Sequence, residues 1–235
     1  MKAMIYSDLA IAKTAIIQMT IIMLIISAIM TFSMENIYVV FPMVACGIPF
    51  FLTFTLMAYD MTNGWERFRL TMPMSRSQVI RGRYLSTLLL VGICLVLATL
   101  LTVVMALAVQ AMPISDALAS EAANLDIRPF ILLAALPVGF LLLATSVVYP
   151  LVARFGFTQA VRLIPIAFFL LVMFGSAALG GLQGDAVPAL IADAIIWAEN
   201  PANVALAGLA IIVLALAINA VSCAIAVRCY EKREF

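Results

Sequence analysis

Histidine is absent from the sequence, and charged residues are scarce: 13 are basic and 12 are acidic among 235. Histidine is the commonest metal ligand and the only side chain that titrates near neutrality without help. Its absence argues against metal catalysis and Ser-His-Asp chemistry, and we do not expect an enzyme. Soluble domains are roughly one-quarter charged, whereas this chain is 11% charged, which excludes an ordinary soluble globule.

Cysteines are few and lack the spacing of a redox or zinc motif. No C-x-x-C pair occurs, so we expect reduced thiols, with neither a disulfide framework nor a metal site. The sequence also lacks a G-x-x-x-x-G-K-[ST] segment, which excludes nucleotide binding of the P-loop type. We therefore expect no cofactor in this chain. If ATP powers its function, another polypeptide hydrolyses it.

Hydrophobic residues make up 66% of the chain and are concentrated in long runs that contain no charge. A helix needs about 20 apolar residues to cross the ~30 Å hydrocarbon core of a bilayer, and each run is close to that length or longer. The sequence thus predicts one all-α integral membrane domain over residues 1–235, with six transmembrane helices. The predicted spans are 14–32, 39–58, 84–109, 130–152, 163–182 and 204–227.

The basic residues predict the orientation of these spans. With six crossings, every lysine and arginine except Arg128 falls on one side of the membrane. Cytoplasmic loops carry the excess of basic residues in membrane proteins. We therefore expect a multi-pass protein of a bacterial-type cytoplasmic membrane, with both termini in the cytoplasm.

Three shorter segments lie between or before the spans. Residues 1–13 are predicted to form an interfacial elbow helix that leads into the first span. Residues 110–129 contain three carboxylates and are predicted to form a short external helix or loop. Residues 186–199 are apolar but short and carry Asp193 in the middle, so we expect a re-entrant or interfacial helix on the outer face.

The predicted spans contain no ionisable acidic or basic residue. Ion-coupled carriers usually keep such a residue inside the membrane, and many selective pores are lined by a ring of charges, so the sequence argues against both. The strongest polar groups in the spans are Gln18 and Asn219. An interhelical hydrogen bond is the favoured interpretation for each, and a contact with transported cargo is the alternative.

The connection between the second and third predicted spans, residues 59–83, is the main polar stretch between spans. Met61, Trp65, Phe68 and Met72 follow the i, i+4, i+7, i+11 spacing of one helix face. This pattern predicts an amphipathic helix over about 61–72 that lies at the membrane surface. Pro73 lacks an amide hydrogen and disfavours helix in the residue before it, so the helix should end there.

The polar side of this helix admits two interpretations. It is either a plain interfacial connector whose arginines hold headgroup phosphates, or a docking surface on which Glu66, Arg67 and Arg69 face a soluble partner. After the proline, Ser75 can cap a new helix that runs through Arg76 into the third span.

The connection resembles that of ABC transporter permeases of the type-2 exporter class. In that family an LPxSR stretch followed by a Lys-Tyr pair joins the second and third spans. Here Met72 replaces the usual leucine, and Arg83 replaces the usual lysine. Chain length, the six-span layout, cytoplasmic termini and the external insertion before the last span also agree. The residues that carry the resemblance are Asp60, Asn63, Gly64, Trp65, Glu66, Pro73, Ser75, Arg76, Val79, Arg83 and Tyr84.

The resemblance implies that 61–72 is a coupling helix seated in a groove of a separate ABC ATP-binding subunit, which holds the ATP and Mg²⁺. Two such subunits and a second permease chain, identical or homologous, are then expected, with lipid around them and no nucleic acid. The cargo would be an amphipathic or hydrophobic peptide, drug or lipid. The implied ATPase-coupling surface is Met61, Trp65, Glu66, Arg67, Phe68, Arg69, Pro73, Ser75 and Arg76.

A second hypothesis comes from another class of function. The chain could be a non-transporting membrane scaffold or sensor partner that recruits a soluble protein through its 59–83 loop. The two hypotheses differ in whether that soluble protein is an ATPase whose turnover responds to this chain.

Overall fold

The structure is a computed structural model and describes residues 2–62, 75–111, 116–123, 127–156, 197 and 200–232. Every element in these ranges is helical, and one turn of 3-10 helix, Ile37–Val39, joins the first two α-helices. The α-helices are α1 (Lys2–Met34), α2 (Val40–Thr62), α3 (Arg76–Ala111), α4 (Asp116–Ala123), α5 (Ile127–Phe155) and α6 (Pro201–Glu231).

Five stretches of the described chain are long and apolar enough to cross a membrane. They contain the first, second, third, fourth and sixth predicted spans, so the prediction of a helical, multi-pass membrane protein is confirmed for the part of the chain that the structure describes. The fifth predicted span, 163–182, lies outside the described residues, as does the predicted re-entrant helix 186–199 apart from Trp197. The five stretches are Ile5–Met34, Ile37–Asp60, Arg76–Ala111, Phe130–Phe155 and Ala202–Glu231.

The first helix differs from the prediction. α1 runs without interruption from Lys2 to Met34, so the elbow expected over 1–13 is not a separate element. The physical reason is that this part of the chain contains neither proline nor glycine to break the helix. Asp8 and Ala12 are also fully buried, which packs the first turns into the bundle rather than along a membrane surface.

The short helix α4 lies in the segment predicted as an external helix or loop. Leu118 and Ala122 of α4 are buried against Ile37 in the turn between α1 and α2. Glu121 Oε2 accepts a hydrogen bond from the Ile37 amide at 2.8 Å, and Gln110 of α3 donates to the Ala122 carbonyl at 2.7 Å. α4 therefore packs on the end of α3 and on the turn that joins α1 to α2.

The centre of the bundle is α2. Half of its most apolar stretch is buried, against 17% for α1 and 22% for α6. Val44, Ile48 and Leu52 of α2 form the main core with Leu90 and Cys94 of α3. The outward faces of α1, α3 and α6 carry exposed isoleucine, leucine and valine side chains, as contact with lipid requires.

Two glycines allow α5 and α6 to pack closely. A Cβ atom added to Gly139 of α5 would lie 2.7 Å from Ile211 Cγ2 of α6. A Cβ atom added to Gly208 of α6 would lie 3.0 Å from Ile131 Cγ2 of α5. Small residues permit such approach between membrane helices, and this pair forms the most extensive contact among the described helices.

Candidate functional site

The functional prediction concerns one end of the bundle, where α2 ends at Thr62 and α3 begins at Arg76; we call it the connection end. Most of the predicted coupling helix 61–72 lies outside the described residues, including Trp65, Glu66, Arg67, Phe68 and Arg69; so does Pro73. Met61 belongs to the last turn of α2, so the helix that enters the connection is a continuation of the second span.

Ser75 and Arg76 fix the start of α3. The Ser75 hydroxyl accepts a hydrogen bond from the Gln78 amide at 3.2 Å, and the Ser75 amide donates to Gln78 Oε1 at 3.3 Å. This reciprocal arrangement is a capping box, in agreement with the predicted cap. Arg76 donates to the Glu231 carbonyl at 3.0 Å, which ties the start of α3 to the last turn of α6.

Two turns further into α3, Arg83 lies between two carboxylates from different helices; we call Asp8, Asp60 and Arg83 the Arg83 triad. The guanidinium pairs with Asp60 near the end of α2 and lies 3.4 Å from Asp8 of α1. Asp8 is fully buried, and its second oxygen accepts a hydrogen bond from Ser86 at 2.8 Å. Charge therefore links α1 and α2 to α3.

Neutral hydrogen bonds link the same part of α3 to α5. The Thr87 hydroxyl donates to the Arg83 carbonyl at 3.0 Å and is hydrogen-bonded to the Tyr149 hydroxyl. Because Thr87 donates its one hydroxyl hydrogen to the Arg83 carbonyl, Tyr149 is the donor in the bond between the two hydroxyl groups. The Tyr84 and Tyr149 rings also pack at 4.7 Å between centroids.

A proline in α5 explains the link to α6. Pro150 has no amide hydrogen, so the Ser146 carbonyl loses its normal donor within the helix. The Ser222 hydroxyl of α6 donates to that carbonyl at 2.6 Å. The hydroxyl groups of Tyr84 and Ser222 are 2.8 Å apart. Because Ser222 donates its one hydroxyl hydrogen to the Ser146 carbonyl, Tyr84 is the donor and Ser222 Oγ the acceptor in this bond.

The stretch Arg76–Thr87 of α3 thus makes polar side-chain contacts with α1, α2, α5 and α6. It follows directly after residues 63–74 and touches every other candidate span that the structure describes. Within the described ranges no group of three or more histidine, cysteine or acidic side chains could hold a metal ion. The arrangement is suited to holding helices in place.

The family model described as ABC-2 family transporter protein matches residues 3–231, nearly the whole chain. The chain belongs to the ABC-2 transporter family. No curated protein and no solved structure matches it. The resemblance found at residues 60–84 is therefore confirmed across the chain. An ABC-2 protein is a membrane transport component that is not itself catalytic, and the family in general works with an ABC ATP-binding partner.

The two polar residues singled out within the spans of this ABC-2 protein lie apart. Asn219 of α6 is buried and donates to the Leu142 carbonyl, Thr145 Oγ1 and Ser146 Oγ of α5, each at 3.2 Å. Those contacts are interhelical hydrogen bonds. Gln18 lies on the exposed face of α1, away from the triad and from Asn219.

Sequence reasoning missed the role of Asp8. Asp8 lies outside the predicted span 14–32, in the segment predicted as an elbow, and the structure buries it completely within the continuous helix α1. Its partner Arg83 is 75 positions away in sequence, so no local pattern indicates the pairing. The available signal was Arg83 itself, a basic residue directly before the third predicted span that also forms part of the family motif.

Proposed function

We propose that this ABC-2 protein is the membrane-spanning permease subunit of an ATP-driven exporter. It provides the translocation pathway for an amphipathic or hydrophobic cargo and couples to a separate ATP-binding subunit at the connection end. The observation that carries the proposal is the stretch Arg76–Thr87, which follows the connection immediately and contacts all four other described spans. A movement of the connection would be transmitted through this stretch of α3 to the other described spans.

The connection end faces the cytoplasm in this proposal. Basic residues near the ends of α3, α5 and α6 lie at this end of the bundle, as the preference for basic cytoplasmic segments requires. An ATPase in the cytoplasm could then bind residues 61–72 with Trp65, Glu66, Arg67, Phe68 and Arg69. The described basic residues concerned are Arg76, Arg81, Arg83, Arg154 and Arg228.

Coupling works by a difference in affinity between two conformations. ATP favours the closed dimer of two ATP-binding subunits. Closing of that dimer brings together the connections of the two permease chains, each bound to one ATP-binding subunit. Rigid helices transmit that displacement, as in other hinge and shear transitions. Since six spans make half of a typical exporter, two permease chains form the assembly, and the pathway runs between them.

The proposed cargo class is supported by the apolar character of the spans, part of whose surface would line the pathway while the rest contacts lipid. The described spans expose mainly isoleucine, leucine, valine and phenylalanine side chains, which suit a peptide, drug or lipid with a large apolar surface. ATP and Mg²⁺ belong to the partner subunit, because this sequence has no P-loop.

Affinity copurification from native membranes tests the proposal. The tagged chain is solubilised in detergent, and the eluate is analysed by mass spectrometry. We expect a stoichiometric ATP-binding subunit with the wild-type chain and a reduced yield with Trp65→Ala. The matched control is Trp197→Ala, which removes an exposed tryptophan distant in sequence from the connection and should leave the yield unchanged.

Two results would contradict the proposal. A preparation without any ATP-binding subunit would show that the chain does not work with a separate motor. A different soluble protein that is lost with Trp65→Ala and retained with Trp197→Ala would favour the scaffold or sensor hypothesis.

A further inference from the structure

The helix α1 is not adjacent to residues 63–74 in the chain, because α2 lies between them. It is nevertheless attached to the start of α3 by Asp8, which contacts both Arg83 and Ser86. The attachment lies in the first turns of α1, at the connection end. A polar contact therefore exists through which α1 can follow a movement of the connection.

We infer that Arg83 is a positioning residue that makes α1, α2 and the start of α3 move as one body at the connection end. The inference rests on the proposed function only for the source of the movement, which is the partner ATPase. The attachment of α1 to α3 through Asp8 and Arg83 is a property of this chain alone.

The geometry of the Arg83 triad supports this role. A guanidinium is planar and presents five donors in a fixed fork, so one arginine can hold two carboxylates in a defined relation. Asp60 lies near the end of α2 and Arg83 near the start of α3. The triad therefore bridges both helices that flank the connection and adds α1 to them.

Burial makes the charged link stiffer than apolar packing would be. Apolar contacts can slide past one another at little cost, whereas separating opposite charges where water is excluded is expensive. Asp8 is fully buried and Arg83 is nearly so. Buried ion pairs add little net stability but leave a large penalty when one partner is lost, so a buried pair is suited to fixing position.

The links from α3 to α5 and α6 are of a different kind. Tyr84, Thr87, Tyr149 and Ser222 form most of them with neutral hydroxyl groups, and Arg76 adds an exposed hydrogen bond to a neutral carbonyl of α6. Exchanging such bonds for others has a modest cost. α5 and α6 are also packed closely on each other through Gly139 and its neighbours. The pair α5–α6 can therefore shift relative to α3 more easily than α1 can.

Distance measurements on the reconstituted chain test the inference. Spin labels are placed at Tyr6→Cys on α1 and Arg81→Cys on α3, both at exposed positions, in a background whose native cysteines are replaced by alanine. Double electron–electron resonance then gives the distance distribution between α1 and α3. The native cysteines to be replaced are Cys46, Cys94, Cys223 and Cys229.

Asp8→Asn is the informative variant, because asparagine has the same shape and can still accept the Ser86 hydrogen bond. We expect a narrow distribution in the wild-type chain and a broad one in Asp8→Asn. Asp8→Glu keeps the charge and should restore most of the narrow distribution. The control is Thr31→Val on α1, whose buried hydroxyl donates to the Ser27 carbonyl of its own helix; it should behave as wild type.

The same variants are then measured in the complex with the ATPase. In the wild type the α1–α3 distance should stay the same when ATP and vanadate trap the complex, and in Asp8→Asn it should change. Permease-dependent ATP hydrolysis should fall in Asp8→Asn to the rate of the ATPase alone, while Asp8→Glu retains stimulation.

The outcomes separate this inference from the proposed function. Equal distributions in wild type and Asp8→Asn, in the chain alone, would overturn the inference whatever the ATPase does. A narrow wild-type distribution that depends on the Asp8 charge, together with no stimulation of any ATPase by the wild-type chain, would support the attachment and contradict the proposed function.

Discussion

Replacing Arg83 with methionine removes the guanidinium that Asp8 and Asp60 share. Methionine keeps a long apolar side chain, so the main change is the loss of charge between two carboxylates. Removing one partner of a buried ion pair costs about 3–5 kcal/mol of folding free energy. Asp8 is fully buried, so we expect the cost for Arg83→Met to fall in this range.

Replacing Asp8 with leucine should cost much less. Arg83 then keeps its pair with Asp60, and Ser86 keeps its second acceptor, the Arg83 carbonyl at 2.9 Å. The contact that is lost is long, 3.4 Å, so its value lies at or below about 1.5 kcal/mol, the lower end for hydrogen bonds to charged groups. Arg83 Nη1 loses this acceptor, but the guanidinium keeps the carboxylate of Asp60 beside it, so the cost stays below that of leaving Asp8 without its cation.

The double variant Arg83→Met, Asp8→Leu provides the decisive comparison. It removes the buried carboxylate together with its cation, so it should be more stable than Arg83→Met alone. Unfolding of the purified chain by SDS in mixed micelles, followed by circular dichroism, gives the free energies of all four proteins. Equal losses of unfolding free energy in the two single variants, or losses that simply add in the double variant, would show that Asp8 and Asp60 do not share the guanidinium.

Two further predictions concern the packing of α5 on α6. Gly139→Ala places a Cβ atom 2.7 Å from the stiff side chain of Ile211 and should lower the midpoint of thermal unfolding. Gly92→Ala is the control, because no neighbouring side chain lies within 4 Å of its new Cβ atom, and it should leave the midpoint unchanged. Adding Ile211→Ala to Gly139→Ala should restore the midpoint in the same assay. Ser222→Ala removes the donor to the Ser146 carbonyl and the acceptor of the Tyr84 hydroxyl. Two polar groups are then unsatisfied, so SDS titration should show a loss of about 2–6 kcal/mol in the free energy of unfolding. An unchanged titration curve would contradict the role of Ser222 as a link between α3, α5 and α6.

Much of the fold could be predicted from the sequence because a charge within lipid is costly. The predicted spans 84–109 and 204–227 lie within α3 and α6, and the structure extends each helix beyond them into the polar flanks. The extensions carry Arg76 and Arg83 of α3. A count of apolar residues finds where a helix crosses lipid, and it does not find where the helix ends.

The polar contacts of Arg76–Thr87 at the connection end could be predicted only in part. The family motif drew attention to Asp60, Arg83 and Tyr84, since they lie within one short stretch of sequence. Their partners are remote: Tyr84 and Ser222 are separated by 138 positions. Such pairs follow from how the helices pack, which local periodicity does not encode.

Asp8 illustrates why the elbow predicted over 1–13 is not a separate element. An acidic residue near the start of an apolar helix is usually placed at the membrane surface, because burying it alone is costly. Here the cost is offset by Arg83 and Ser86, so the helix continues inward past the charge. The coupling surface at 61–72 and the fifth span at 163–182 remain predictions.

The most direct test of the account is the ATP hydrolysis of the copurified complex with Glu66→Arg in the connection. The matched charge reversal is Glu231→Arg, at the exposed end of α6, which leaves the carbonyl bonded to Arg76 in place. Permease-dependent hydrolysis should be lost with Glu66→Arg and retained with Glu231→Arg, with both chains inserted and folded. Full hydrolysis with Glu66→Arg, or an equal loss in both variants, would contradict coupling through this connection.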